Sequence, residues 1–153
     1  MHIMNAVVID IPIEGAFLFV EDVESYGEWS RNVARPQVAI QRPIRVGSAI
    51  SVTFGTVSRQ HVFTGSVTEH EPPHAFSFEI SDVKYVMIRM GWRLVDVEGR
   101  TRVSVAADVD MYKWYLHLLE VLVQDKIKGD VIGLKRLKAF AERIWRQEAE
   151  TRS

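Results

Sequence analysis

The sequence predicts an α+β protein in which an antiparallel β-sheet of about six to seven strands wraps around one long C-terminal helix. Three observations predict this class. Apolar and polar residues alternate in segment after segment across residues 36–111, the pattern of a sheet that is covered on one face. A helical period follows in residues 116–147, and a shorter one follows the first strand. The length of 153 residues indicates a single domain, residues 1–153.

The N-terminal part is predicted to form one strand and two short helices. Residues 4–11 alternate as a strand that ends at Pro12. Residues 14–23 predict a helix with an apolar stripe of Phe17, Leu18 and Val20. Three acidic residues are expected to point away from that stripe: Glu14, Glu21 and Asp22. Residues 24–32 predict a second short helix or turn, with Tyr26 and Trp29 three residues apart.

The middle of the chain predicts the sheet, with strands at residues 38–41, 48–55, 60–70, 76–80, 86–94 and 101–111. Pro72 and Pro73 predict one turn, and Glu98–Gly99 predicts a two-residue hairpin turn. Strand parity places large apolar side chains on the inner face: Phe54, Phe63, Phe76, Phe78, Met90 and Trp92. By the same parity His61 faces inward with Phe63, whereas His70 faces outward.

Composition excludes several classes of function. The absence of cysteine excludes disulfides, a thiol nucleophile, an iron–sulfur cluster and cysteine-ligated zinc. The net charge of −1 argues against nucleic acid as a partner. No signal peptide or membrane-spanning run is visible, so a cytoplasmic location is expected. Residues 70–74 hold two histidines, but they flank a proline turn and need not converge, so no metal site is predicted. The sequence contains no phosphate-binding loop or dinucleotide fingerprint, and no cofactor is expected.

Several segments, taken in order, resemble the START-like (SRPBCC) superfamily, and particularly its polyketide cyclase/dehydrase branch. Residues 9–12 (IDIP) with Ala16-Phe17 are similar to the family's first strand and helix. Residues 22–29 (DVESYGEW) resemble its pair of short helices. Residues 46–48 resemble the start of the family's third strand, and residues 67–72 resemble a strand of the family that leads into a proline turn. Residues 134–138 resemble the end of its long helix. The resemblance spans nearly the whole chain and implies the helix-grip, or Bet v 1-like, fold.

The resemblance implies a cavity between the sheet and the long helix, open near the short helices, that holds a hydrophobic small molecule. Methionine and aromatic side chains suit such a ligand because they combine a large area with an adaptable shape. The predicted ligand-binding residues are Tyr26 and Trp29 at the mouth and Phe54, Phe63, Phe76, Phe78, Met90 and Trp92 on the inner face. The alternative is that these side chains fill a solid core.

Two functions are compatible with this resemblance, because the fold alone does not choose between them. The first is binding of a lipid, an aromatic or a polyketide-like molecule. The second is a cofactor-independent aromatase/cyclase that acts on a poly-β-ketone, with His61 and His70 as the candidate catalytic residues. Aromatase/cyclases of this branch commonly carry an arginine before the proline turn and a tyrosine after the short helices. This chain has His70 and Val33 at the corresponding positions, and the departure favours binding.

A third possibility involves the aromatic residues that precede the long helix. These residues are Tyr112, Trp114, Tyr115 and His117. They are compatible with a cap over the cavity, whose mouth Asn32 is able to reach from the side of the short helices, or with a partner surface such as that of a homodimer.

Overall fold

The computed structural model describes residues 2–29, 37–56, 59–82, 86–111 and 134–152. At some of these positions, including Trp29, Phe54 and His61, only the backbone is described. The predictions for Asn32, Val33 and the aromatic residues 112–117 lie outside the described residues, as does the N-terminal half of the predicted long helix.

Seven antiparallel strands form one sheet within the described residues, and their spatial order is β1-β7-β6-β5-β4-β3-β2. The strands are β1 (His2–Ile9), β2 (Gln37–Ile40), β3 (Ala49–Thr56), β4 (Arg59–Glu71), β5 (Ala75–Ser81), β6 (Val86–Val97) and β7 (Arg100–Met111). Between β1 and β2 the chain forms helix α1 (Ile13–Glu21), a 3-10 turn (Val23–Ser25) and helix α2 (Tyr26–Trp29). The C-terminal helix α3 (Leu134–Arg152) follows the sheet. The predicted α+β class is confirmed.

One face of the sheet is covered by the helices, and the other faces solvent. On β7, Val103, Val105 and Ala107 are buried while Arg102 and Asp110 are exposed, as the alternation predicts. Leu134, Leu137 and Ala141 of α3 are buried at the helical spacing of three and four residues. Each large apolar side chain buried in this way contributes about 1.5–3 kcal/mol to stability. The faces predicted from the alternation are therefore confirmed on this strand and helix.

Helix α1 packs on the sheet through a narrower stripe than the sequence predicts. Its buried face consists of Ile13, Ala16, Phe17 and Val20, which recur at steps of three and four residues. Leu18 is 62% exposed, because it lies about 100° around the helix from Phe17. The prediction that Leu18 belongs to the apolar stripe is wrong, and so is the prediction that Glu21 points away, since Glu21 is half-buried against β4.

Helix α3 is fixed to the end of the edge strand β1 by two side chains one turn apart. The Lys138 Nζ donates a hydrogen bond to the carbonyl oxygen of Val8 at 2.6 Å. The Glu142 carboxylate accepts one from the backbone N–H of Asp10 at 3.0 Å and lies 3.3 Å from the Lys138 Nζ. Val8 belongs to β1 and Asp10 follows its last residue, so the two contacts join α3 to the end of this strand.

Strand β4 contains a β-bulge that reverses its parity. Val67 lies opposite Phe78 of β5, but the next pair is Glu69 with Ser77, so Thr68 is the extra residue. Beyond the bulge His70 lies opposite Phe76 and shares the inner face with Val67. The prediction that His70 faces outward is therefore wrong, because simple alternation does not hold across a bulge.

Candidate functional site

The inner face of the sheet divides into a closed half and an open half. The closed half comprises Phe76, Trp92, Leu94 and Val105, each no more than 1% exposed. The open half comprises Phe63, Ile88 and Met90, which pack against the core but remain partly exposed. Phe78 joins the two halves: its ring lies 5.8 Å from that of Phe76, and it pairs with Met90 across the strands. In the central strands β4 to β6, the inner face therefore keeps accessible apolar surface in its open half.

The open half has the chemistry of a site for a hydrophobic molecule. Its side chains carry no hydrogen-bonding group stronger than the thioether of Met90, and that flexible side chain adapts to irregular shapes. Ile88 was not among the predicted site residues, although its parity with Met90 was the available signal. Of the predicted residues, Phe76 and Trp92 expose no surface here, so their part in binding stays a prediction. The side chains of Trp29, Phe54 and His61 lie outside the described part of the chain.

Tyr26 is buried against the C-terminal end of α1. Its hydroxyl donates a hydrogen bond to the carbonyl oxygen of Val20 at 2.6 Å, a group that the end of the helix leaves unpaired. Its ring lies 6.0 Å from the ring of Trp92. Burial raises the pKa of Tyr26 well above its ordinary value, and the charge of Asp22 adds to the rise, while a hydrogen bond with Trp92 opposes it. The phenol of Tyr26 therefore stays protonated, and a role for it in binding stays a prediction.

A histidine–carboxylate pair lies between α1 and β4. The Nε2 of His70 is 3.0 Å from the Oε2 of Glu21, and the two side chains are 17% and 20% exposed. The imidazole lies against two aromatic rings, with centroid distances of 5.9 Å to Phe17 and 6.2 Å to Phe76. Glu21 was missed from the sequence because 49 residues separate it from His70 and nothing local links the two. The pair brings a polar group to the margin of the aromatic core.

The side chain of Arg42 contacts the C-terminal end of α1 and the 3-10 turn that follows it. Its guanidinium contacts both carboxylate oxygens of Glu24, at 2.6 and 3.2 Å, and reaches the carbonyl oxygen of Glu21 at 3.3 Å. Burial by itself raises the pKa of Glu24, but the hydrogen bond and charge of Arg42 outweigh it and leave this pKa lowered. Burial is also the main cause of the raised pKa of Asp22. The contacts of Arg42 thus fix the helix end that carries Glu21.

The second histidine of the 70–74 segment has a different partner. The Nδ1 of His74 lies 3.4 Å from the carbonyl oxygen of Leu94, whereas His70 contacts Glu21. The two imidazoles therefore serve separate contacts.

Together, the fold and the site define a helix-grip protein with an apolar inner sheet face. Residues 1–142 match the family described as polyketide cyclase/dehydrase and lipid transport, and the chain belongs to this family. No curated protein sequence matches significantly. Among the helices in the described residues, none is long and apolar enough to cross a membrane.

Solved structures of low sequence identity share the fold. The Zhui aromatase/cyclase from Streptomyces sp. R1128 is 14% identical, with 94% of each chain covered and a TM-score of 0.68. TTHA0849 from Thermus thermophilus is 14% identical, with 92% of this chain and 97% of that chain covered and a TM-score of 0.70. The di-domain ARO/CYC StfQ from the steffimycin biosynthetic pathway is 11% identical, with 93% of this chain and 50% of that chain covered and a TM-score of 0.68.

Proposed function

We propose that this chain binds a hydrophobic small molecule, such as a lipid, an aromatic or a polyketide-like compound, between the inner face of the sheet and the C-terminal helix. The observation that carries the proposal is the open half, where Phe63, Ile88 and Met90 keep accessible apolar surface beside the fully buried Phe76 and Trp92. Covering such surface with a ligand is favourable by about 25 cal/mol per Å². Family membership supports the same function.

In this proposal the predicted site residues have different roles. Phe63 and Met90 contact the ligand, and Phe78 forms the floor between the two halves. Trp29 and Phe54, whose side chains lie outside the described residues, stay predicted ligand contacts, while the buried Phe76, Trp92 and Tyr26 support the site from behind. The proposal includes a cytoplasmic location and a small molecule rather than nucleic acid as the partner, with a homodimer as the oligomeric form to test.

Substituting Met90 tests where the ligand binds. We expect Met90→Gln to weaken binding of the neutral fluorescent probe N-phenyl-1-naphthylamine by about tenfold, because an amide of similar size replaces apolar surface in the site. The matched control is Met87→Gln, which makes the same change on the opposite face of β6. Fluorescence titration of both variants measures the difference.

If Met90→Gln and Met87→Gln weakened binding of the probe equally, the probe would bind outside the open half. Native mass spectrometry of the purified protein gives an independent result, since a co-purifying hydrophobic molecule is expected. A protein that is always empty, and that also rejects lipids and aromatic probes, would contradict the proposal.

A second candidate function is that of an aromatase/cyclase acting on a poly-β-ketone. The observation in its favour is the inward-facing His70 held by Glu21, an arrangement that suits a general base. His61→Ala and His70→Ala, each assayed with a polyketide mimic, test it. An unchanged product distribution in both variants would remove the two histidines as catalytic residues.

A further inference from the structure

The imidazole of His70 has one nitrogen in use and one available. Nε2 faces the Glu21 carboxylate at 3.0 Å. Among the described residues, Nδ1 has no hydrogen-bond partner. The His70 side chain is 17% exposed, so its neighbours do not cover it completely.

The Glu21 carboxylate determines whether Nδ1 of His70 donates or accepts a hydrogen bond. A carboxylate only accepts hydrogen bonds, so in the neutral imidazole the proton lies on Nε2. Nδ1 then carries a lone pair and accepts a hydrogen bond. It therefore suits a hydroxyl group of a ligand and does not suit a carbonyl or an ether oxygen, neither of which can donate.

The surroundings define the rest of the ligand. The imidazole lies against the rings of Phe17 and Phe76, and the Phe76 ring lies 5.8 Å from the ring of Phe78, which pairs with Met90 of the open half. The Arg42 guanidinium donates a hydrogen bond to the backbone carbonyl oxygen of Glu21. This bond fixes the helix end that carries the Glu21 carboxylate. A polar group thus lies at one margin of an otherwise apolar surface.

We propose that His70 Nδ1 accepts a hydrogen bond from a hydroxyl of the bound molecule, and that Glu21 is the positioning residue that fixes the imidazole tautomer. The ligand class is an apolar ring system with a phenolic or enolic hydroxyl. This inference rests on the proposed binding function and adds to it the group that the site recognises.

A matched pair of ligands tests the inference: 2-naphthol, which has the hydroxyl, and 2-methoxynaphthalene, which cannot donate. We expect the wild-type protein to prefer 2-naphthol by about three- to tenfold in calorimetric titrations, the value of one neutral hydrogen bond. His70→Phe should remove this preference, and Glu21→Gln should reduce it. Glu28→Gln, a change to an exposed residue of α2, is the control and should keep it.

The ratio of the two affinities separates recognition from a structural role, because general loosening of the fold weakens both ligands alike. If both ligands bind the wild-type protein equally, or if His70→Phe keeps the preference, this inference is overturned while the binding function stands. If neither ligand binds, the proposed function fails and this inference with it. Should His70→Phe not fold, Glu21→Gln decides, and an unchanged preference in that variant overturns the inference.

Discussion

Gly65→Ala is expected to destabilise the protein by about 3 kcal/mol or more, or to prevent folding, because a side chain cannot fit at this point of β4. A Cβ atom on Gly65 would lie 1.7 Å from the carbonyl oxygen of Glu79 and 2.7 Å from its carbonyl carbon. These are backbone atoms of the paired strand β5, so no change of side-chain conformation relieves the overlap. Urea unfolding followed by circular dichroism measures the loss.

The neighbouring substitution Ser66→Ala is the control, since it removes side-chain atoms from the same stretch of β4 without adding any. The absence of a Cβ at Gly65 allows β4 and β5 to approach closely here. Gly65 lies opposite Ile80, which pairs with Ile88 of the open half, so this approach lies beside the proposed site. A Gly65→Ala protein as stable as Ser66→Ala would show that the two strands do not approach in this way.

Tyr26→Phe is expected to cost about 1–3 kcal/mol at neutral pH, because it leaves the buried carbonyl oxygen of Val20 without its hydrogen bond. The size of the side chain hardly changes, so the loss reports the hydroxyl alone. Chemical denaturation at pH 7 measures it. A loss below about 0.3 kcal/mol would mean that water or another group replaces the hydroxyl.

The pH dependence of the folding stability provides a second, independent test of the Tyr26 hydroxyl. The pKa of Tyr26 is raised in the folded protein above its ordinary value of 10.0, so the unfolded chain loses the proton first. The unfolded state then binds fewer protons than the native state, and stability falls as the pH rises through about 10. Tyr26→Phe lacks this contribution, so the difference in stability between wild type and variant should shrink above pH 10. A constant difference would contradict the raised pKa.

The sheet and its faces were predictable from the sequence because strand alternation is a local property. Val103, Val105 and Ala107 are buried where parity places them, and the Glu98–Gly99 hairpin has the positive φ values, 54° and 85°, that its sequence suggests. His70 was misplaced because one extra residue at Thr68 inverts the pattern, and no composition signal marks the bulge. Such inversions are visible only once the partner strand is known.

The candidate site was only partly predictable, for a similar physical reason. Parity brings Phe76, Phe78, Met90 and Trp92 to one face, but it does not tell which of them the helices seal. Packing against the helices decides this, leaving Met90 accessible and Trp92 fully covered. The Glu21–His70 contact likewise depends on where the end of α1 lies relative to β4, a long-range arrangement that neither segment encodes alone.

Methionine methyl resonances test the proposed site most directly, because the chain carries reporters on both faces of the sheet. Met90 lies on the inner face, whereas Met4, which is 70% exposed, and Met87 lie on the outer one. In a protein labelled with ¹³C at the methionine methyls, titration with N-phenyl-1-naphthylamine should shift the Met90 signal and leave those of Met4 and Met87 in place. Binding accompanied by shifts of Met4 or Met87, with Met90 unmoved, would contradict a hydrophobic site on the inner face.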